Sequence, residues 1–94
     1  MKIRLMKAAI RGLREAQAYI AFDNPTAAKQ VVFRLKKAIE LIAVRPDIGR
    51  PSEDNRAREW SVPGLPFLIP YRVVGDTLEV IRIWHTSRDR PEKW

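Results

Sequence analysis

The sequence contains no cysteine and only one histidine among its 94 residues. Without cysteine there is no disulfide framework and no thiolate nucleophile. With a single histidine besides, no donor set for a structural or catalytic zinc ion remains. No apolar run approaches the roughly 20 residues that a membrane-spanning helix needs. The N-terminal residues lack the apolar stretch of a signal peptide, so a cytoplasmic location and no membrane contact are expected. Glycine is scarce, at four residues. No phosphate-cradling glycine loop and no carboxylate cluster with metal-ligand spacing occurs, so neither a cofactor nor a metal is expected.

What is present reads as globular. Hydrophobic residues make up 46% and charged residues 31% of the chain, a composition able to bury a core. The length predicts one domain spanning residues 1–94. A chain this small buries only about 60–65% of its unfolded surface, so a bound partner adds usefully to its stability. The net charge of +7 is uneven: residues 1–46 carry ten basic and three acidic side chains, residues 47–94 eight of each. The basic half suits an acidic partner, either nucleic acid or an acidic protein segment; the plainer reading is that these side chains solvate helix surfaces.

Hydrophobic periodicity gives the elements. Ile3 and Leu5 alternate with Lys2 and Arg4, predicting a short first strand. From Lys7 to Phe22 the period is helical, with Ala9, Ile10, Leu13, Ala16 and Ile20 on one arc and Lys7, Arg11 and Arg14 opposite. Gly12 within this helix costs about 1 kcal/mol relative to Ala. Asn24 and Pro25 are a capping residue and a favoured first helical residue, so a second helix starts there and runs to about Val44. Its core face is Ala28, Val31, Val32, Leu35, Ala38, Ile39 and Ile42. Phe33 and Leu41 fall off that face, among Lys29, Arg34 and Lys37, and serve either flank packing or docking. A link of two or three residues makes the pair an antiparallel hairpin.

Arg45 to Pro51 turns the chain, with Gly49 able to take positive φ, and residues 52–57 read as an exposed polar loop. Three strands follow: Arg58–Val62, Phe67–Val74 and Thr77–Trp84. Gly75-Asp76 at hairpin spacing places Val74 opposite Thr77, Arg72 opposite Glu79 and Phe67 opposite Trp84. Pro70 removes one ladder donor and calls for a bulge or a non-bonding position. The fold class is therefore α+β, in the order β-α-α-β-β-β. One face of a small sheet packs on the helical hairpin; the other is left for the loop, the tail or a partner.

Few residues carry chemistry. His85 is the one side chain that titrates near neutrality, as a proton-transfer group or as a structural residue at a sheet edge. Ser87, His85 and Asp89 do not make a triad, because no nucleophile elbow or oxyanion loop accompanies them. Arg58, Arg72, Arg82, Arg88 and Arg90, with Trp60, Tyr71 and Trp84, form a set able to clamp phosphates and stack bases. They are equally able to pair within the fold with Glu59, Glu79, Asp89 and Glu92.

In chain order, several short elements resemble the ParE branch of the RelE/ParE toxins of bacterial toxin–antitoxin systems. These are Ala9 to Leu13, Tyr19-Ile20, Asn24-Pro25 with Ala27-Ala28, Pro46 with Gly49-Arg50, and Arg58-Glu59. The Pro63-Gly64 turn, Tyr71-Arg72-Val73, and Val80 to His85 with Arg88 complete the set. The family has Asp where Gly12 stands and often Trp in the first strand, which is absent here. The resemblance implies a helical hairpin on an antiparallel sheet, a plasmid-stabilisation type of role and a cognate antitoxin that wraps the toxin. Phe33, Leu41, Trp60 and Tyr71 are then its expected contacts. RelE-like members cut messenger RNA on the ribosome with basic groups on the sheet and a tail residue for proton transfer. Glu59, Ser61 and Leu68 stand here at those sheet positions, and neither Glu nor Leu stabilises phosphoryl charge. ParE-like members instead inhibit DNA gyrase by binding it. The resemblance thus points to gyrase, with Arg58, Arg72, Arg82, Arg88, Arg90 and Trp94 as target contacts. The alternatives are a ribosome-dependent messenger RNA endonuclease using His85 and Arg88, and a non-catalytic nucleic-acid-binding module.

Overall fold

Asn24 organises the helical half of the molecule. In the computed structural model, which describes residues 1–91 and 93–94, this one residue separates α1 (Lys7–Asp23) from α2 (Pro25–Val44). Glu92, counted above among the acidic neighbours, lies outside the described residues. The Asn24 N–H donates to the Ile20 carbonyl and closes α1. Its side-chain oxygen accepts from the Ala27 N–H at 3.0 Å and opens α2, a cap worth about 1 kcal/mol. One residue doing both jobs, with its backbone N–H and its side chain, makes the link shorter than the two or three residues expected. At the far end the Arg45 N–H closes on the Leu41 carbonyl and Pro46 prevents continuation.

The strands are β1 (Lys2–Leu5), β2 (Arg50–Pro51), β3 (Arg58–Ser61), β4 (Phe67–Val74), β5 (Thr77–Val80) and β6 (Trp84–His85). They form one sheet in the order β1-β5-β4-β3-β2, with β6 paired to the start of β4. β1 runs parallel to β5, and the other pairs are antiparallel. The β-α-α-β-β-β order stands, with β2 added where only a turn was expected.

The hairpin register holds near the turn, where Val74 faces Thr77 and Arg72 faces Glu79. Further along it slips by one residue: Phe67 faces His85, and Leu68 faces Trp84. Pro70 accounts for the slip. Its carbonyl accepts from the Ile81 N–H at 2.9 Å, but the proline ring has no N–H to return. The regular ladder stops there, a bulge takes up residues 81–83, and the expected single strand Thr77–Trp84 becomes two.

Phe67, Ile69 and Tyr71 of β4 pack with Leu78 and Val80 of β5 against Leu35, Ile39 and Ile42 of α2 and Ala9 and Ala16 of α1. Ile10, expected in this core, is 38% exposed, because it sits at the edge of the α1 arc. Ser52 and Ala57, expected in an open loop, are buried. The Ser52 hydroxyl accepts from the Ala57 N–H and donates to Asp54, which folds the loop onto itself. The Asp54 carboxyl is held below its ordinary range, chiefly by the Arg56 N–H bond and then by Ser52.

Two glycines mark close approaches. A Cβ on Gly49 would lie 2.7 Å from the Tyr71 hydroxyl oxygen, so close packing, not a positive φ, requires glycine there. A Cβ on Gly12 would lie 2.6 Å from the Ile83 carbonyl oxygen. α1 therefore reaches the bulge only because it carries no side chain at this position. Gly12→Ala improves helix propensity by about 1 kcal/mol, but it forces α1 off the bulge at a cost of about 1–3 kcal/mol. The expected outcome is a lower urea midpoint; an unchanged or higher midpoint would show that the contact gives way freely.

Candidate functional site

Strand alternation sends Arg4, Glu79 and Arg72 to the sheet face away from the helices. Glu79 lies between the two arginines, 2.7 Å from Arg72 Nε and 3.8 Å from Arg4 Nη1. The two arginines are solvent-facing, while the Glu79 side chain between them is only 12% exposed.

The neighbouring row on that face is Arg50, Glu59 and Pro70. Here the carboxylate is buried, with the Glu59 side chain only 2% exposed. An unpaired charge at such a site would cost several kcal/mol. Three donors answer it. Arg50 Nε lies 3.4 Å from Oε1, while Oε2 takes the Arg90 guanidinium and the Trp94 indole N–H, the latter at 2.8 Å. The Arg90 guanidinium also lies 4.9 Å from the centre of the Trp94 ring. Trp94 meets Trp84 edge-on at 5.7 Å, and Arg82 lies 5.9 Å from the Trp84 ring. Arg90 and Trp94 are thereby laid over the outer face beside Glu59, next to β4, whose two faces are both buried from Phe67 to Tyr71.

Earlier in the same segment the contacts turn toward α1. Thr86 donates its N–H to the Pro66 carbonyl, and Arg88 Nη1 reaches Glu15 at 3.0 Å. His85 sits edge-on to Phe67 at 5.2 Å. Its Nδ1 accepts the Ser87 N–H at 3.1 Å and lies 2.6 Å from the Ser87 hydroxyl. Among the described residues no carboxylate bonds to the imidazole. A groove of about 400 Å³ runs here between α1 and β6, lined by Gly12, Ala16, Tyr19, Leu65, His85 and Arg88 among others. Among the described residues no three metal-ligating side chains come together.

The arginines proposed as one surface are thus divided. Arg90 and Trp94 gather on Glu59, Arg72 pairs with Glu79, Arg82 lies by Trp84, and Arg88 faces α1. Arg58 is turned inward, donating to the Gly49 carbonyl at 2.6 Å, so it braces the turn after α2. Phe33 and Leu41 are 59% and 40% exposed, with Lys37 Nζ 5.4 Å from the Phe33 ring centre. Trp60 is half-buried against the core.

Tyr71, expected as a partner contact, is fully buried. Its hydroxyl donates to the Pro46 carbonyl at 2.7 Å and accepts from the Gly49 N–H at 2.9 Å, so it locks the turn to the sheet and presents nothing to a partner. The central place of Glu59 was missed, because a charged residue on the polar side of an alternating strand reads as solvent-facing. Tyr19 and Phe22, 79% and 90% exposed, were missed as exposed aromatics because the helical arc covers only part of α1.

The model of the ParE toxin family of type II toxin–antitoxin systems, parDE, matches residues 3–90. The chain belongs to this family. Among the relatives of this ParE-family toxin is Y4kP of Sinorhizobium fredii, 36% identical over 97% of this chain and 94% of that protein. Toxin RelE2 of Caulobacter vibrioides is 31% identical over 85% of this chain and 89% of its own length. A structure of the chromosomal ParDE system from P. aeruginosa superposes with a TM-score of 0.81 at 23% identity, covering 90% of this chain and 95% of that one; it shares the fold. Membership of a type II system supplies a cognate antitoxin as partner.

The buried hydroxyl gives a pH test. Burial pushes the Tyr71 phenol above its ordinary value, with the Gly49 N–H bond acting the other way. The unfolded chain ionises this group near pH ~10, and the folded chain holds the proton to higher pH. Its contribution is therefore complete below pH ~10 and is lost as pH rises through the folded value. Tyr71→Phe should cost about 1–3 kcal/mol at pH 7, by stranding two buried backbone groups, and should flatten the decline in stability above pH ~10. Urea denaturation of both proteins across that range measures it, and parallel pH curves would contradict it.

Proposed function

We propose that this toxin inhibits DNA gyrase by docking on it, with no bond made or broken by its own residues. The carrying observation is the outer sheet face. Around β3 and the start of β4, Glu59, Ser61 and Leu68 stand in place of basic groups, and the arginines nearest them, Arg50 and Arg90, are paired with the Glu59 carboxylate, which Trp94 also closes over. That stretch offers no unpaired cation to an RNA phosphate at the moment of cleavage. What the toxin offers instead is cationic and aromatic surface, in Arg82, Arg88, Arg90 and Trp94, with Arg72 on β4. We further propose that the antitoxin covers Phe33 and Leu41 on the outside of α2, where the charge of residues 1–46 favours an acidic segment. A partner at a thousandfold excess over its Kd adds about 4 kcal/mol to the stability of a chain this small.

The competing reading is a ribosome-dependent endonuclease. Its support is that His85 and Arg88 line one groove. Two assays on antitoxin-free toxin separate the readings: gyrase supercoiling with cleavage-complex formation, and cleavage of a reporter messenger RNA on ribosomes. Gyrase inhibition with intact message is expected. His85→Ala should leave growth inhibition within a few-fold, whereas a loss of several orders of magnitude with folding intact would mean proton transfer at His85. Direct binding to RNA or DNA with a steep salt slope, without growth inhibition, would indicate a nucleic-acid-binding module.

A further inference from the structure

We infer that Glu59 is the positioning residue of the target-engaging segment: its carboxylate holds Arg90 and Trp94, and through them sets how Arg88, Arg90 and Trp94 are presented. This rests on the docking reading above. Three observations carry it. Glu59 is the one buried charged side chain among the described residues. Of its three donors, two come from the segment itself, 31 and 35 residues further along the chain. Those two donors also meet each other, guanidinium on indole at 4.9 Å, and Trp94 meets Trp84 at 5.7 Å. The anchor is therefore a closed set: the carboxylate fixes both partners, and each partner fixes the other.

The charge matters more than the shape. Arg50 and Arg90 place two guanidinium groups on one carboxylate. A neutral amide in the same position still accepts from Trp94, but it leaves the two cations facing each other uncompensated. Arg90 is 42% exposed at its side chain, so it regains water by swinging outward. The cheapest relief is thus release of the segment and not unfolding of the sheet. Residues 2–85 keep their own core, since Leu35, Ile42, Ile69, Tyr71, Leu78 and Val80 are fully buried without the segment's side chains forming part of that cluster.

The experiment compares Glu59→Gln, Glu59→Asp and Arg90→Gln with the parent toxin. Three quantities are read: hydrogen exchange of the Trp94 indole N–H and the Arg88 amide, two protons of this segment that have acceptors, exchange of β4 and β5, and gyrase inhibition. In Glu59→Gln, exchange of those two protons should rise about tenfold or more, as expected for a lost charge-assisted bond, while β4 and β5 stay protected and gyrase inhibition falls with it. Arg90→Gln should loosen the same two protons. Glu59→Asp keeps the charge and should recover most of the protection and inhibition. Unchanged exchange in both Glu59→Gln and Arg90→Gln would overturn the inference. So would a loosened segment with undiminished inhibition, or a uniform rise in exchange across β4 and β5, which marks a structural role only. Should the parent toxin fail to inhibit gyrase, the docking reading and the positioning role fall with it. The exchange data would then still decide the anchor by themselves.

Discussion

Everything in this molecule turns on covering both faces of β4. The strand is buried from Phe67 to Tyr71, and in a chain of 94 residues there is little material with which to do it. The helical hairpin takes one face with Leu35, Ile39 and Ile42. On the other face lie Arg90 and Trp94, tied down through the Glu59 carboxylate. Removing a carboxylate from water is unfavourable unless donors replace the water. Glu59 can therefore be buried only if the segment folds back, and the segment folds back because Glu59 is there.

The same economy shapes the helix side. α1 comes down on the bulge at Ile83 because Gly12 has no side chain, and the bulge exists because Pro70 breaks the ladder. The turn after α2 is bound to β4 by a single phenol, with Gly49 pressed against it. Each of these contacts is local, yet together they fix where α1, β6 and residues 86–94 sit relative to one another. That placement decides which cationic and aromatic groups reach solvent: Arg58 is spent on the turn, while Arg72, Arg82, Arg88 and Arg90 remain at the surface or within reach of it.

The docking proposed for this ParE-family toxin draws on surface groups and not on a reaction centre. The imidazole of His85 is engaged by Ser87 at Nδ1, and the arginines nearest Glu59 on the outer sheet face, Arg50 and Arg90, are paired with its buried carboxylate. The aromatic and cationic groups are instead mounted on a short segment held at two points, Glu15 and Glu59. A segment held in this way loses little further conformational freedom when it meets a partner.

The sequence by itself determined the element order, the helix boundary at Asn24-Pro25, the hairpin register at Arg72 and Glu79, and the exposed positions of Phe33 and Leu41. These depend on periodicity, capping and turn chemistry, which act over a few residues. The family was legible too, because the order and spacing of short motifs survive where no one motif is decisive. Only the tertiary structure decided that Tyr71 is a buried lock, that Arg58 faces inward, that Phe67 meets His85 and not Trp84, and that Glu59 is a buried hub. Each of those depends on groups nine or more residues apart in the chain, or on a slip that one missing N–H introduces. Neither alternation nor composition encodes them. A strand's polar face looks the same in sequence whether water covers it or the chain's own arginine and tryptophan do.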